Sequence, residues 1–301
     1  MEIISVNPRG YCLGVIGAIE LAKKTIKQNP NTKISMLGMI VHNRYVVEYF
    51  TKQGVICLDD SKKTRLELLD EIEEGIVIIT AHGASDEVFK KATKKGLIIV
   101  DATCPDVKIT HQITREHVKD GDVIYIGKRN HPEAEGTVGI SNRVHLVSSI
   151  EDIQQLPPLD NILITNQTTL SIVDIKPLIE ECLKQFPNAK VTEEICKATR
   201  IRQEAITKLE DVDVLFVVGD PHSNNSNQLC TIGKSHGIKD AYLIEGAWQI
   251  QEDMIKNKNR IAVTSGSSTP TLLTNSVIEY LENYAKTNQF IPAKTIETLT
   301  F

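Results

Sequence analysis

Cys12, Cys104 and Cys196 are evenly spaced: 104 − 12 and 196 − 104 are both 92. An equal gap this long marks an internal repeat of a whole small α/β unit rather than a solenoid turn. Three copies set around an axis would bring three thiolates to one point. Three thiolates suit an iron-sulfur cluster with one iron left open, because a fully ligated cluster takes four protein donors. An open iron is a place for a substrate to bind. The three loops are Arg9-Gly10-Tyr11-Cys12-Leu13-Gly14, Asp101-Ala102-Thr103-Cys104-Pro105 and Glu194-Ile195-Cys196-Lys197-Ala198. Each cysteine opens a helical segment, and a helix N-terminus favours the thiolate a metal needs. Any one of them alone reads as a buried cysteine; three in one repeat phase read as ligands.

Six further loops share one chemical character. Val41-His42-Asn43-Arg44, Asn130-His131-Pro132-Glu133 and the stretch from Asp220 through His222, Ser223, Asn224 and Asn225 to Asn227 follow the second strand of each repeat. Ala81-His82-Gly83-Ala84-Ser85, Asn166-Gln167-Thr168-Thr169-Leu170-Ser171 and Ser265-Gly266-Ser267-Ser268-Thr269-Pro270 follow the fourth. Imidazoles, hydroxyls, carboxamides and glycine-permitted backbone amides are the donor set that wraps a phosphate or diphosphate. Glu133 stands apart as a carboxylate in loops otherwise built for an anion. A buried glutamate near a cluster can hold a proton near neutral pH and deliver it. His111, His117, His145 and His236 fall out of phase with these loops and read as structural, and His222 is not needed to explain the site.

These loops must be carried by strands, since ligands of open α/β sheets bind beyond the carboxyl ends of the strands. Apolar β-rich segments occur at Ile3 to Val6, Ile34 to Ile40, Val55 to Leu58 and Ile76 to Thr80 in the first repeat. The second has Leu97 to Val100, Val123 to Ile126, Val144 to Val147 and Ile162 to Thr165; the third has Lys190 to Glu194, Val214 to Val218, Ala241 to Ile244 and Ile261 to Thr264. Short apolar runs alternating with helical patterns predict parallel strands covered by helices. One helix, marked by Ile16, Ile19, Leu21 and Ile26, should stop at Asn29-Pro30, because proline cannot continue the ladder. Val107 to Val118 and Ala198 to Leu209 occupy the same place in the other repeats. The expected division is 1–94, 95–187 and 188–281, each a four-stranded mostly parallel sheet with flanking helices, and a C-terminal tail over 282–301.

With 301 residues, 41% of them hydrophobic, the chain can bury a real core. Lys and Arg number 34 against 39 Asp and Glu, so the basic excess of a nucleic-acid binder is missing. No apolar run approaches the roughly 20 residues that span a bilayer, and no signal peptide is recognisable at the start. The expectation is a cytoplasmic protein with no membrane or nucleic-acid partner. In a reducing compartment the six cysteines do not read as three disulfides. Cys57 and Cys182 read as buried apolar side chains, with Cys230 left more open.

Taken together, Arg9-Gly10-Tyr11-Cys12, Val41-His42-Asn43-Arg44-Tyr45, Ala81-His82-Gly83, Asp101-Ala102-Thr103-Cys104-Pro105, His131-Pro132-Glu133 with Glu135-Gly136-Thr137, Gln167-Thr168-Thr169-Leu170-Ser171, Ile195-Cys196 with Ala198-Thr199, and Ser265-Gly266-Ser267-Ser268 resemble the 4-hydroxy-3-methylbut-2-enyl diphosphate reductases. The resemblance covers nearly the whole chain up to the tail. It implies three pseudo-threefold-related α/β domains around a central cavity holding a 4Fe-4S cluster, with Cys12, Cys104 and Cys196 as its protein ligands. It implies reduction of an allylic alcohol diphosphate with two electrons and two protons, water being lost and isopentenyl and dimethylallyl diphosphates formed. The open iron would bind the substrate hydroxyl. Carried over residue by residue, His42, His82, His131, Ser223, Asn225 and Ser268 would hold the diphosphate. Thr168 would contact the substrate hydroxyl, and Glu133 would donate the proton. Ferredoxin or flavodoxin would supply electrons to a monomeric enzyme.

The chain departs from the family pattern at Leu13, where alanine is common, at Asp220-Pro221, at Asn224, often serine, at Gln228, often basic, and at Thr271, often acidic. Asn224 still donates a hydrogen bond, so altered affinity rather than lost activity is expected. Three other readings stand beside this one. A non-redox hydro-lyase would use an open iron only as a Lewis acid and need no electron donor. An iron-sulfur sensor of a phosphorylated ligand would tolerate loss of Glu133 and Thr168. A structural Cys₃His zinc site would leave six anion-binding loops unexplained.

Overall fold

The computed structural model describes residues 1–192 and 195–296. Its strands, in chain order, are β1 (Glu2–Ser5), β2 (Ile34–Leu37), β3 (Ile56–Leu58), β4 (Ile76–Ile79), β5 (Ile98–Asp101), β6 (Val123–Ile126), β7 (Val144–Val147), β8 (Leu163–Asn166), β9 (Lys190–Val191), β10 (Val214–Val218), β11 (Asp240–Ile244) and β12 (Arg260–Ser265). They form three four-stranded sheets, β3-β2-β4-β5, β7-β6-β8-β9 and β11-β10-β12-β1. Every pairing is parallel. The α/β class expected from the alternating pattern is what forms.

Strand membership differs from the expected grouping in one regular way. β5, read as the first strand of the second repeat, pairs with β4. β9 pairs with β8, and β1 pairs with β12. The reason is connection length. A parallel partner needs only one crossover helix, and Asp86–Lys94 between β4 and β5, or Ile172–Gln185 between β8 and β9, supplies it. No strand follows β12 among the described residues, and the N-terminal β1 takes that edge. The segment expected at Lys190 to Glu194 is a strand only at Lys190–Val191; Glu193 and Glu194 lie outside the described residues.

The chain gathers into two compact units. One comprises Met1–Leu13, His42–Tyr49 and the chain from Lys197 onward, and holds the sheet of β11, β10, β12 and β1. Successive β10 side chains go to opposite faces, as the two-residue period of a strand requires. Val214, Phe216 and Val218 pack with Val263, Leu273 and Val277 on one face. Leu215 and Val217 pack with Ile206, Leu229 and Ala262 on the other. The helix Thr271–Thr287 runs past the expected tail boundary at 282, since Leu281 and Tyr284 continue the buried stripe of Leu273 and Val277. Phe290, Ala293 and Ile296 pack on the same core, so the described part of the tail belongs to the fold.

The other unit comprises Gly14–Val41 and Phe50–Cys196, with the remaining two sheets. The helix Leu13–Gln28, which enters this unit at Gly14, stops directly before Asn29-Pro30, as proline demands. In β6 the alternation is again clear: Ile124 and Ile126 join one core layer, Val123 and Tyr125 the other with Ala134 and Leu163. No helix among the described residues is long and apolar enough to cross a membrane.

Candidate active site

The three cysteine loops share one backbone device. The Cys104 N–H donates to the Ala81 carbonyl at 3.0 Å, the Cys196 N–H to the Thr168 carbonyl at 3.3 Å, and the Cys12 N–H to the Ser267 carbonyl at 3.0 Å. Ala81, Thr168 and Ser267 lie just beyond β4, β8 and β12, which hold the same position in the three sheets. Each cysteine is half-buried and immediately precedes a helix, Leu13–Gln28, Pro105–His117 or Lys197–Thr207. Pro105 stands at the first helical position, where its missing N–H costs no hydrogen bond. The repeat read from spacing is therefore a repeat of backbone hydrogen bonds as well.

Close approach is arranged differently in each loop. Gly10 has φ +74, its N–H donates to Ser265 Oγ at 2.7 Å, and its carbonyl accepts from Arg202 Nη2 at 2.7 Å. A Cβ there would meet Thr271 Oγ1 at 2.5 Å, so only glycine fits. Gly83 has φ +76 and lies against His111, Thr103 and Val107 of the loop and helix that follow β5.

Besides Cys104 and Cys196, four of the expected site residues belong to the unit of two sheets. His82 and His131 have ring centroids 5.8 Å apart at an interplanar angle of 87°. The helix Pro132–Val138 begins at His131, whose Nδ1 accepts the Glu133 N–H at 3.1 Å. With Nδ1 accepting, a neutral His131 ring carries its proton on Nε2 and presents a donor there. Glu133 is only 1% exposed, and its two carboxyl oxygens accept from Thr168: Oε1 from the N–H at 2.7 Å, Oε2 from the hydroxyl at 3.1 Å. Burial raises the Glu133 carboxyl from 4.5 to about 7, against the lowering effect of the Thr168 bonds. A carboxyl raised this far can hold a proton near neutral pH.

The other unit holds His42, Ser223, Asn225 and Ser268. His42 follows β2 in the chain, but its carbonyl accepts from Ser268 Oγ at 2.9 Å. Ser268 Oγ also lies 3.4 Å from Ser223 Oγ, and Ser223 caps the helix Asn224–Ser235 by accepting the Ser226 N–H. Asn225 is 3% exposed, and both its amide oxygen and nitrogen are buried with no hydrogen-bond partner. An unmet buried amide is costly, which makes Asn225 a candidate for holding a polar ligand. Asp220, one of the departures from the family pattern, is buried and accepts the N–H groups of Arg44 and His222, both at 2.8 Å. It organises two of the polar loops.

The remaining expectations are settled by contacts. All six cysteines are thiols. Burial pushes Cys57 up to about 12 and Cys182 to about 11, and raises Cys230, so these three stay protonated and inert. His117, His145 and His236 bond the Asn161 carbonyl, Asp122 and the Leu209 carbonyl, which are structural partners. His111 is buried and lowered to about 4, hence neutral. His222 is exposed and bonded to Asp220. Among the described residues no three or more His, Cys, Asp or Glu side chains are gathered into a ready metal site. Sequence reasoning passed over Tyr125 and Arg202. Tyr125 is a phenol in an otherwise aliphatic buried strand, a signal in itself because such a hydroxyl needs a partner.

A model of the LytB protein family matches residues 3–282. The 4-hydroxy-3-methylbut-2-enyl diphosphate reductase of Brevibacillus brevis is 48% identical over 97% of this chain and 94% of its own length. That of Macrococcus caseolyticus is 46% identical over 96% and 91%. A solved E-1-hydroxy-2-methyl-but-2-enyl-4-diphosphate reductase from Plasmodium falciparum superposes with a TM-score of 0.86 at 32% identity, over 93% of this chain and 88% of that one. A second solved structure, the (E)-4-hydroxy-3-methyl-but-2-enyl diphosphate reductase described as the terminal enzyme of the non-mevalonate pathway, gives 0.66 at 30% identity, over 94% and 100%. With the repeated cysteine loops, the buried Glu133–Thr168 pair and a match over almost its full length, the chain belongs to the LytB family.

Proposed function

We propose that this chain reduces 4-hydroxy-3-methylbut-2-enyl diphosphate with Glu133 as proton donor, Thr168 beside the substrate hydroxyl, and Cys12, Cys104 and Cys196 as ligands of a 4Fe-4S cluster. The activity is that of the family to which the chain belongs. The observation that carries the residue assignment is the buried Glu133 carboxyl, bonded through both oxygens to Thr168 and raised to about 7.

The donor set fits the cluster chemically: three thiols, each half-buried, each at the start of a helix, each tied by the same backbone N–H hydrogen bond. When bound, the cluster supplies electrons and an open iron of Lewis-acid character. The protein residues do the rest. His42, His82, His131, Ser223, Asn225 and Ser268 hold the diphosphate, far from the carbon that reacts. Binding there positions the hydroxyl and helps exclude water. Glu133, at a carboxyl oxygen that already faces the Thr168 hydroxyl, delivers the proton with which the hydroxyl leaves as water. In balance, one C–O bond breaks and one C–H bond forms, consuming two electrons and two protons. A one-electron carrier of the ferredoxin or flavodoxin class supplies the electrons.

The test is anaerobic turnover of the cluster-reconstituted protein with a chemically reduced viologen, the products being identified by mass. Isopentenyl and dimethylallyl diphosphates, formed only when the viologen is present, are the expected result. Conversion without a reductant would make the enzyme a hydro-lyase, and no conversion by protein with an intact cluster would leave a ligand sensor.

A further inference from the structure

We propose that the Tyr125 hydroxyl is a positioning donor for Glu133, stabilising the carboxylate left once the proton has gone. The inference rests on the reading of Glu133 as proton donor and extends it to a residue outside the polar loops. Tyr125 lies on β6, is fully buried, and shares its core layer with Ala134 of the helix Pro132–Val138. Its hydroxyl faces the Glu133 carboxyl and the Thr137 hydroxyl. Neither offers it well-formed hydrogen-bond geometry, and the phenol oxygen has no settled partner.

The surrounding bonds leave room for a donor that changes partner. Each Glu133 oxygen accepts one bond from Thr168, and a carboxylate oxygen has a second lone pair. Thr137 spends its own proton on the Glu133 carbonyl at 3.0 Å, so its oxygen can only accept. With Glu133 protonated, the phenol donates to Thr137 Oγ1. With Glu133 ionised, a small reorientation turns the same proton to the carboxylate. A phenol suits this task because it stays protonated: burial holds Tyr125 well above its ordinary range.

Other groups set the balance. Burial raises Glu133, Asp106 of the helix Pro105–His117 adds to the rise, and the bonds from Thr168 together with the nearby Tyr125 hydroxyl lower it. His131 contributes its Nδ1 to the Glu133 backbone N–H rather than to the carboxyl. Removing the phenol oxygen therefore moves Glu133 further up.

The experiment is Tyr125→Phe in the full chain, followed by two readouts. One is the alkaline limb of kcat against pH in the cluster-loaded enzyme. The other is the infrared carboxyl band of Glu133 through a pH titration, identified by its absence in Glu133→Gln and read with or without turnover. Both should move up by about one pH unit, the size of a charge-assisted bond to a carboxylate. In the acidic plateau kcat should fall roughly threefold, as a weaker acid requires, with KM unchanged. A band and limb that coincide with the parent's would overturn the proposal. If Tyr125→Phe does not fold, a fluorinated tyrosine at 125, a stronger donor, should shift both readouts down, and no shift has the same meaning. Near-normal turnover by Glu133→Gln would instead remove the proton-donor reading itself.

Discussion

At the scale of single residues, the proton-donor role proposed for Glu133 would link catalysis to stability through one proton. Glu133→Gln keeps the shape and one acceptor oxygen but has no proton to give. Turnover should fall by about 10² or more while substrate affinity stays within a few-fold. Normal turnover in that variant would exclude the assigned role. The stability effect has a definite sign. The folded carboxyl sits near 7 and the ordinary one near 4.5, so the folded chain holds the proton more tightly. The stability this contributes is complete below about pH 4.5 and is lost as pH rises through 7, a change of about 3 kcal/mol. In thermal melts Glu133→Gln should gain on the parent between pH 5 and pH 8. A constant difference across that range would mean that Glu133 is not raised. At the cysteines, Ser at 12, 104 or 196 should lower bound iron and sulfide in reconstituted protein, and full retention by any one variant would remove that ligand.

The element that matters most is the turn between a strand and the helix behind it. The N–H of each of Cys12, Cys104 and Cys196 donates a hydrogen bond to a carbonyl of the loop beyond the neighbouring strand. Near Cys12 this turn depends on Gly10, whose φ of +74 and contact with Thr271 exclude a side chain. Gly10→Ala should therefore cost about 1–3 kcal/mol in denaturant unfolding. Thr271→Ala in the same chain should restore only part of it, because the contact is relieved and the backbone strain is not. Full rescue would mean that the contact alone makes glycine necessary.

At the scale of the whole molecule, the assignment of edge strands ties distant sequence together. β1 pairs with β12 in register from Glu2 with Arg260 to Ser5 with Val263, and the Arg260 guanidinium meets the Glu2 carboxylate at 2.9 Å. Residues 1–6 therefore complete a sheet otherwise built from residues 214–265. A chain lacking residues 1–6 should lose amide protection along β12, whose N–H and C=O groups on that side become an open edge. Unchanged exchange at residues 260–265 would show that β1 adds nothing to that sheet's stability.

What the sequence determined by itself is local and periodic. The 92-residue phase, the cysteine at each helix start, the mostly parallel α/β strands and the ends of Val123–Ile126, Val144–Val147 and Val214–Val218 were all legible, because apolar runs, helix stops and polar loops are written in consecutive residues. The polar loops were legible for the same reason. What only the tertiary structure decided was which segments meet. A run such as Ile98–Asp101 specifies a strand but not its partner, which depends on the crossover that reaches it. Burial raises the Glu133 carboxyl to about 7, Asp106 adds to the rise, and Thr168 and Tyr125 lower it; none of these three lies in its own loop. Tyr125 itself looked like one more strand residue, since no one-dimensional pattern states which side chain a buried phenol will face. The extension of the last helix to Thr287 reads as tail in the sequence; only the core that Leu273, Val277, Leu281 and Tyr284 enter shows that they form one stripe.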